Sequence, residues 1–322
     1  MGSSNHSGWL DIHAHFQLPV SLEEAKKRIP YYHQVKFMVD RPVLWNVDDV
    51  LQYNDTANVQ MQMLSCIPSS LEDLKRTNDY GHQLVESHPD RIGLLAALPT
   101  DNPEGCLEEI RRTATFKIPP DGFAVTTVRG GWYLGNPRLD PVWQQLNAQK
   151  AVVHIHPSTS TPPSMDRPTP LIEVAFDTTQ TIVDMLYNKV MLRFPDIKFV
   201  LAHCGGALPA LSGRLSLLGT EKWVPNANGV TKAGIENQLK GLYVDTAASA
   251  KTGLEPAFRL FGTDSCVYGS DCGVPCSTVE TMEENRNDVI EFEKQHGITI
   301  NTIGNNGWDL FPVARARVVL KH

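Results

Sequence analysis

Five side chains scattered through the chain have the types and placement to hold a metal ion and move protons: His13, His15, His156, His203 and Asp271. Asp11-Ile12-His13-Ala14-His15 closes a short apolar run. Side chains two apart on a strand share a face, so His13 and His15 are presented together. Neutral imidazoles are ready ligands for a divalent ion, although one His-x-His pair is a weak pattern. Val152-Val153-His154-Ile155-His156-Pro157 repeats the arrangement, and Pro157 ends the run and leaves His156 at its rim. His154 shares that face one layer lower and reads as a buried, hydrogen-bonded histidine rather than a ligand. Phe199 to Ala202 is apolar and leads into His203-Cys204-Gly205-Gly206. A polar ring there needs a buried partner or a function, and the glycines allow close backbone approach. Val267-Tyr268-Gly269-Ser270-Asp271 ends in a carboxylate, which suits a hard or borderline divalent ion and can carry a proton. As an N-cap, Asp271 is too far from the next helical pattern, which begins beyond Pro275.

The elements that must position these groups are short β-type runs alternating with longer helical patterns. Strands are expected over 10–13, 61–66, 92–96, 122–126, 152–156, 198–203, 242–245 and 266–269, and helices over 71–87, 103–115, 140–149, 178–193 and 254–261. Such alternation predicts parallel strands joined by crossover helices. Eight strands suggest closure into a (β/α)₈ TIM barrel, residues 1–322 as a single domain, with an open doubly wound sheet as the alternative. Each candidate group then falls at the carboxyl end of strand one, five, six or eight, the catalytic face of such a barrel. Two segments exceed the bare repeat: an aromatic-rich insertion after the first strand (17–48), expected to cover part of the site, and extra C-terminal helices (278–322). Pro157 to Pro170 reads as a functional loop.

Composition narrows the partners. The 322 residues carry a net charge of −7 with no basic run, which argues against nucleic acid. No stretch reaches the roughly 20 apolar residues of a membrane span, and the first residues lack the regions of a signal peptide. A cytoplasmic location follows, with the six cysteines reduced and the acceptor-like Asn5-His6-Ser7 and Asn54-Asp55-Thr56 unglycosylated.

Asp11-Ile12-His13-Ala14-His15-Phe16, His156-Pro157, 202–209, Gly213-Arg214-Leu215 and Gly269-Ser270-Asp271 together resemble the amidohydrolase superfamily in its decarboxylase branch. That branch holds aminocarboxymuconate-semialdehyde, γ-resorcylate and fungal 6-methylsalicylate decarboxylases. The resemblance implies one divalent ion, Zn²⁺ with Mn²⁺ as the alternative, held by His13, His15, His156 and Asp271. It makes His203 the acid/base beside Asp271, and Arg214 a substrate-carboxylate group shared across a dimer in some relatives, so a homodimer or homotetramer is expected. Some members carry Glu where this chain has His13, and Arg41 lies near but does not align with a substrate arginine of one relative. Residues 122–127 lack the bridging lysine of binuclear hydrolases, which implies one metal. The expected reaction is decarboxylation of a small aromatic carboxylic acid, 6-methylsalicylate to 3-methylphenol and CO₂. The alternatives are a mononuclear, lactonase-like hydrolase and a barrel that only binds a partner.

Overall fold

The computed structural model describes residues 8–158 and 165–319. Eight parallel strands follow one another in chain order: β1 (Trp9–His15), β2 (Val59–Ser65), β3 (Ile92–Ala97), β4 (Gly122–Thr126), β5 (Val152–His156), β6 (Lys198–Leu201), β7 (Tyr243–Asp245) and β8 (Cys266–Val267). The segment after β8 returns to β1. Ile12 N donates to Tyr268 O at 3.0 Å, Asp271 N to His13 O at 2.9 Å and His15 N to Cys272 O at 2.7 Å. The sheet therefore closes as a barrel. An open doubly wound sheet would reverse its strand order at a switch point, and no reversal occurs.

Helices α1 (Leu22–Gln34) and α2 (Val47–Ala57) follow β1, α3 (Leu71–Ser87) follows β2, α4 (Pro103–Thr113) follows β3, and α5 (Asp140–Ala148) follows β4. Then come α6 (Glu173–Tyr187) and α7 (Val190–Arg193) after β5, α8 (Leu208–Leu218) and α9 (Lys232–Lys240) after β6, and α10 (Ala250–Phe261) after β7. The chain ends in α11 (Val279–Gln295), α12 (Thr302–Leu310) and α13 (Pro312–Val319). Strand cores are buried on both faces, which is why they read as near-continuous apolar runs. Among the described residues no helix is long and apolar enough to cross a membrane.

Several expectations need correction. Residues 178–193 are not one helix, because Lys189 adopts a left-handed conformation (φ 55°) that breaks it between α6 and α7. β6 stops at Leu201 and β8 at Val267, so His203 and Asp271 stand in turns beyond their strands. A two-stranded hairpin, Val128–Arg129 against Trp132–Tyr133, follows β4 and is too short for periodicity to reveal. The insertion after β1 is partly helical, and α1 is opened by a capping box of Ser21 and Glu24. Asn54 is fully buried, so its acceptor motif is inaccessible, while Asn5 lies outside the described residues, as does part of the loop after Pro157.

The C-terminal helices close the end of the barrel opposite the histidines. Trp308 Nε1 donates to Gly8 O, Asn306 Nδ2 to Cys266 O, and Arg317 pairs with Asp121, each at a point where a strand begins. Trp308, Phe311, Ala314 and Val318 share an apolar cluster with Leu10, Ile12, Met61, Met63, Leu95, Ala124, Val152, Val200 and Val267. This plug is structural. Phe311→Ala is expected to cost about 3–5 kcal/mol of stability, read as a lower denaturant midpoint.

Candidate metal centre

The local chain on β1 explains how two ligands come to face inward. Asp11 pairs with Gln62 and Ala14 with Leu64, so three steps of β1 oppose two of β2. This is a β-bulge, which re-aims side chains and commonly lies next to an active site. Ile12 joins the interior cluster, and His13 and His15 then share the mouth above it. Asp11 pins the bulge. Its carboxylate accepts from His13 N and Ser270 N, both at 3.1 Å, from Gln62 Nε2 at 2.8 Å and from Ser270 Oγ at 2.5 Å. Burial pushes Asp11 up to about 7 against these donors. Gly269 lets the β8 turn approach, since a Cβ there would lie 2.8 Å from His13 Cβ. Asp271 (φ 63°) and His203 (φ 57°) both take left-handed backbone, uncommon for non-glycine residues and sometimes a mark of a site.

The mouth gathers one ligand atom each from His13, His15, His156 and Asp271, all within 4.8 Å of one another. His13 Nε2 lies 3.1 Å from His15 Nε2, and Asp271 Oδ1 lies 3.4 Å from the first and 3.3 Å from the second. The other ring nitrogens are committed elsewhere. His13 Nδ1 donates to Asp245 Oδ2 at 2.8 Å, His156 Nδ1 to Pro157 O at 2.9 Å and His203 Nδ1 to Ala247 O at 2.9 Å. Those acceptors cannot donate, so each of these Nδ1 atoms carries a proton, and the rings of His13 and His156, when neutral, turn a bare Nε2 away from their partners. His15 Nδ1 has Ser65 Oγ at 3.5 Å.

Burial sets the electrostatics. It draws His13 down to about 4 despite the Asp245 carboxylate, and it draws His156 well below its ordinary value, helped by the neighbouring rings of His15, His13 and His203. These two rings are neutral at physiological pH. Burial works against the Asp271 charge, but the surrounding histidines prevail and hold it below the usual carboxylate range. The cluster favours positive charge: protonated rings steady the Asp271 carboxylate, and once the rings are neutral their lone pairs and that oxygen suit a cation between them. At metal–nitrogen distances of about 2.0–2.1 Å, tetrahedral ligands stand roughly 3.4 Å apart, close to the separations here. The donor set fits one divalent ion.

The family model described as amidohydrolase matches residues 10–284. The chain belongs to the amidohydrolase family. Decarboxylase macB of Penicillium terrestre is 31% identical over 254 residues, 74% of this chain and 73% of that protein. The 6-methylsalicylic acid decarboxylase acuB of Aspergillus aculeatus is 25% identical over 296 residues, 83% of this chain and 86% of that protein. Among solved structures, a dihydroxybenzoic acid decarboxylase from a Polaromonas species, with bound manganese and 2-nitroresorcinol, matches with a TM-score of 0.76 at 18% identity, covering 98% of this chain and 99% of that one. That likeness is one of fold.

In this amidohydrolase barrel His203 stands beside the cluster, its ring centroid 5.0 Å from that of His13. Arg214 is exposed on α8 and Arg41 is exposed beside Asp40, and neither joins the cluster. Of the aromatic side chains near the mouth, Phe16 packs with Trp45 and Tyr80 at centroid distances of 6.2 and 6.0 Å. Trp45 Nε1 comes within 3.2 Å of where a Cβ on Gly273 would stand, against the ligand-bearing turn. Trp132 instead stacks under Arg138, and Tyr133 bonds Gln180. Cys204 and Cys272 are buried, and burial holds both thiols neutral, Cys272 at about 12. Sequence reasoning missed Asp245 and Asp11 as site residues. Asp11 lies inside an apolar strand and Asp245 ends one, and a buried acid demands a partner.

His15→Ala is expected to lower divalent-metal affinity by more than about 100-fold, beyond the effect of outer-shell changes, measured by titration against a competing chelator. Chelator treatment of the wild type should lower the melting temperature, because an ion at 100 times its Kd adds about 2.7 kcal/mol. Unchanged melting would remove the site.

Proposed function

We propose that this chain is a metal-dependent, non-oxidative decarboxylase of a small hydroxy-aromatic acid, with 6-methylsalicylate converted to 3-methylphenol and CO₂ as the specific reaction. The observation that carries the reading is the convergence of three imidazoles and one carboxylate on a single point, with His203 beside it. The decarboxylase names of macB and of the 6-methylsalicylic acid enzyme support the reaction class, and the fungal relatives point to secondary metabolism. His13, His15, His156 and Asp271 would hold the ion. Three nitrogens and one oxygen suit Zn²⁺, and the manganese of the Polaromonas structure makes Mn²⁺ the alternative.

When bound, the ion supplies positive charge that orients the substrate carboxylate and its ortho hydroxyl. His203 Nε2, bare while Nδ1 stays on Ala247 O, takes the hydroxyl proton and delivers it to the ring carbon bearing the carboxylate. The carbon–carbon bond to the carboxylate breaks, its electron pair restores the aromatic ring, CO₂ leaves, and the phenolate takes a proton from water. Asp271, ionised and beside the rings, stabilises the imidazolium formed in passing. A dry mouth favours a step in which the substrate loses its carboxylate charge.

The same reading assigns Arg214 to a substrate carboxylate at the mouth of a partner copy. Helix α8 is apolar, yet only Leu208 and Pro209 are buried within the chain, and Leu217 is 69% exposed. A second copy covering this face would make a homodimer, and Leu217→Asp should shift the mass in light scattering from dimer to monomer.

Zn²⁺- or Mn²⁺-loaded protein incubated with 6-methylsalicylate, salicylate and 2,6-dihydroxybenzoate should release CO₂ and the matching phenol in equal amounts, fastest with the first. Silence across the panel would end the reading, and lactone turnover without CO₂ would replace it with a hydrolase. His203→Asn should keep the metal and lower turnover by about 10²–10⁴-fold.

A further inference from the structure

Asp245 ends β7 and lies outside the ligand set, yet every hydrogen bond it makes runs to the centre or its support. Oδ2 accepts from His13 Nδ1 and from His154 Nε2, each at 2.8 Å. Oδ1 accepts from the backbone amides of His203 and Ala247, each at 3.0 Å. Ala247 O in turn receives His203 Nδ1 at 2.9 Å. Asp245 is 0% exposed, and His13 and His154 are each 1% exposed.

We propose that Asp245 and His154 are a positioning pair that locks the His13 proton on Nδ1 and seats the His203 turn, so that one carboxylate sets both metal affinity and the placement of the proton carrier. An ionised carboxylate only accepts, so both rings that meet Oδ2 must donate. With its proton held on Nδ1, His13 has no tautomeric choice and presents Nε2 bare, the form a ligand needs. His154 is the telling member. Its Nε2 proton goes to Asp245, and its Nδ1 is buried without a hydrogen-bond partner. A leucine would fill that space with no stranded nitrogen. The ring is explained by the one N–H that it gives, which with His13 holds Oδ2 between two donors. The two rings meet edge to face at 4.6 Å, so neither swings without displacing the other.

The inference rests on His13 as a metal ligand, so the test reads the metal-free protein as well. The ring protons of ¹⁵N-imidazole-labelled, metal-free wild type, Asp245→Asn, His154→Gln and His154→Leu are located by NMR. Zn²⁺ affinity of each folded variant is measured against a chelator. Asparagine keeps the shape and can still accept the two amides, but it offers an N–H to His13 and should move that ring's proton to Nε2. Zn²⁺ affinity should then fall by about 10–100-fold. His154→Leu should weaken Zn²⁺ binding, and His154→Gln, whose amide nitrogen reaches the place of Nε2, should restore it. If Asp245→Asn does not fold, the two His154 variants decide alone. An unmoved His13 proton in Asp245→Asn overturns the proposal, as do equal Zn²⁺ affinities in wild type, His154→Leu and His154→Gln. A wild type with the proton on Nδ1 that binds no Zn²⁺ ends the metal reading and leaves the tautomer lock standing.

Discussion

The centre depends on the seam where the end of the eighth strand meets the first. His13, His15 and Asp271, from opposite ends of the chain, come together there, and Asp11 reaches across 259 residues to Ser270. Three backbone hydrogen bonds close the seam, and one of them runs from the amide of Asp271 to the carbonyl of His13. Two ligands are thus spaced by main chain and not by side-chain rotamers. The Asp11 carboxylate repeats the constraint from behind, holding the amide of His13 and that of the residue before Asp271. Opening this seam would separate His13 and His15 from Asp271 and leave His156 without its companions.

Burial is the second constraint, and it follows from the first. A closed barrel with its lower end plugged by α12 and α13 excludes water from the strands. The imidazoles at the mouth therefore stand at the edge of a low-dielectric core, where charging a ring is unfavourable and His13 falls to about 4. His13 and His156, neutral and with committed Nδ1 protons, suit coordination.

Much of this was legible in the residues, and the failures have physical causes. β4, β5 and α3 match their expected ranges because buried strands and a capped amphipathic helix leave strong local patterns. His13 and His15 do share the mouth, although plain alternation was an incomplete guide: the bulge at 11–14 also leaves Ile12 with the interior, which no two-residue period foretells. His154 is buried and hydrogen-bonded as expected, but its partner was not foreseen, since Tyr-Val-Asp-Thr carries no motif and the pairing spans 91 residues. The helices beyond 278 were legible as helix, whereas their place under the barrel depends on long-range contacts such as Trp308 with Gly8.

Floor and roof of the site are built to different tolerances. The floor consists of strand ends and turns held by buried hydrogen bonds, with Asp271, His203, Cys204 and Ala248 in left-handed backbone that only a well-determined surrounding keeps in place. The roof is the stretch 17–48 that follows β1, and its Lys36 pairs with Asp166, both substantially exposed. An exposed pair contributes at most about 1 kcal/mol. That pair therefore adds little to the barrel, whereas Trp45 of the same stretch packs on Phe16 and Tyr80. A change at Trp45 is therefore felt at the turn that carries Asp271, and a change at Lys36 or Asp166 is not.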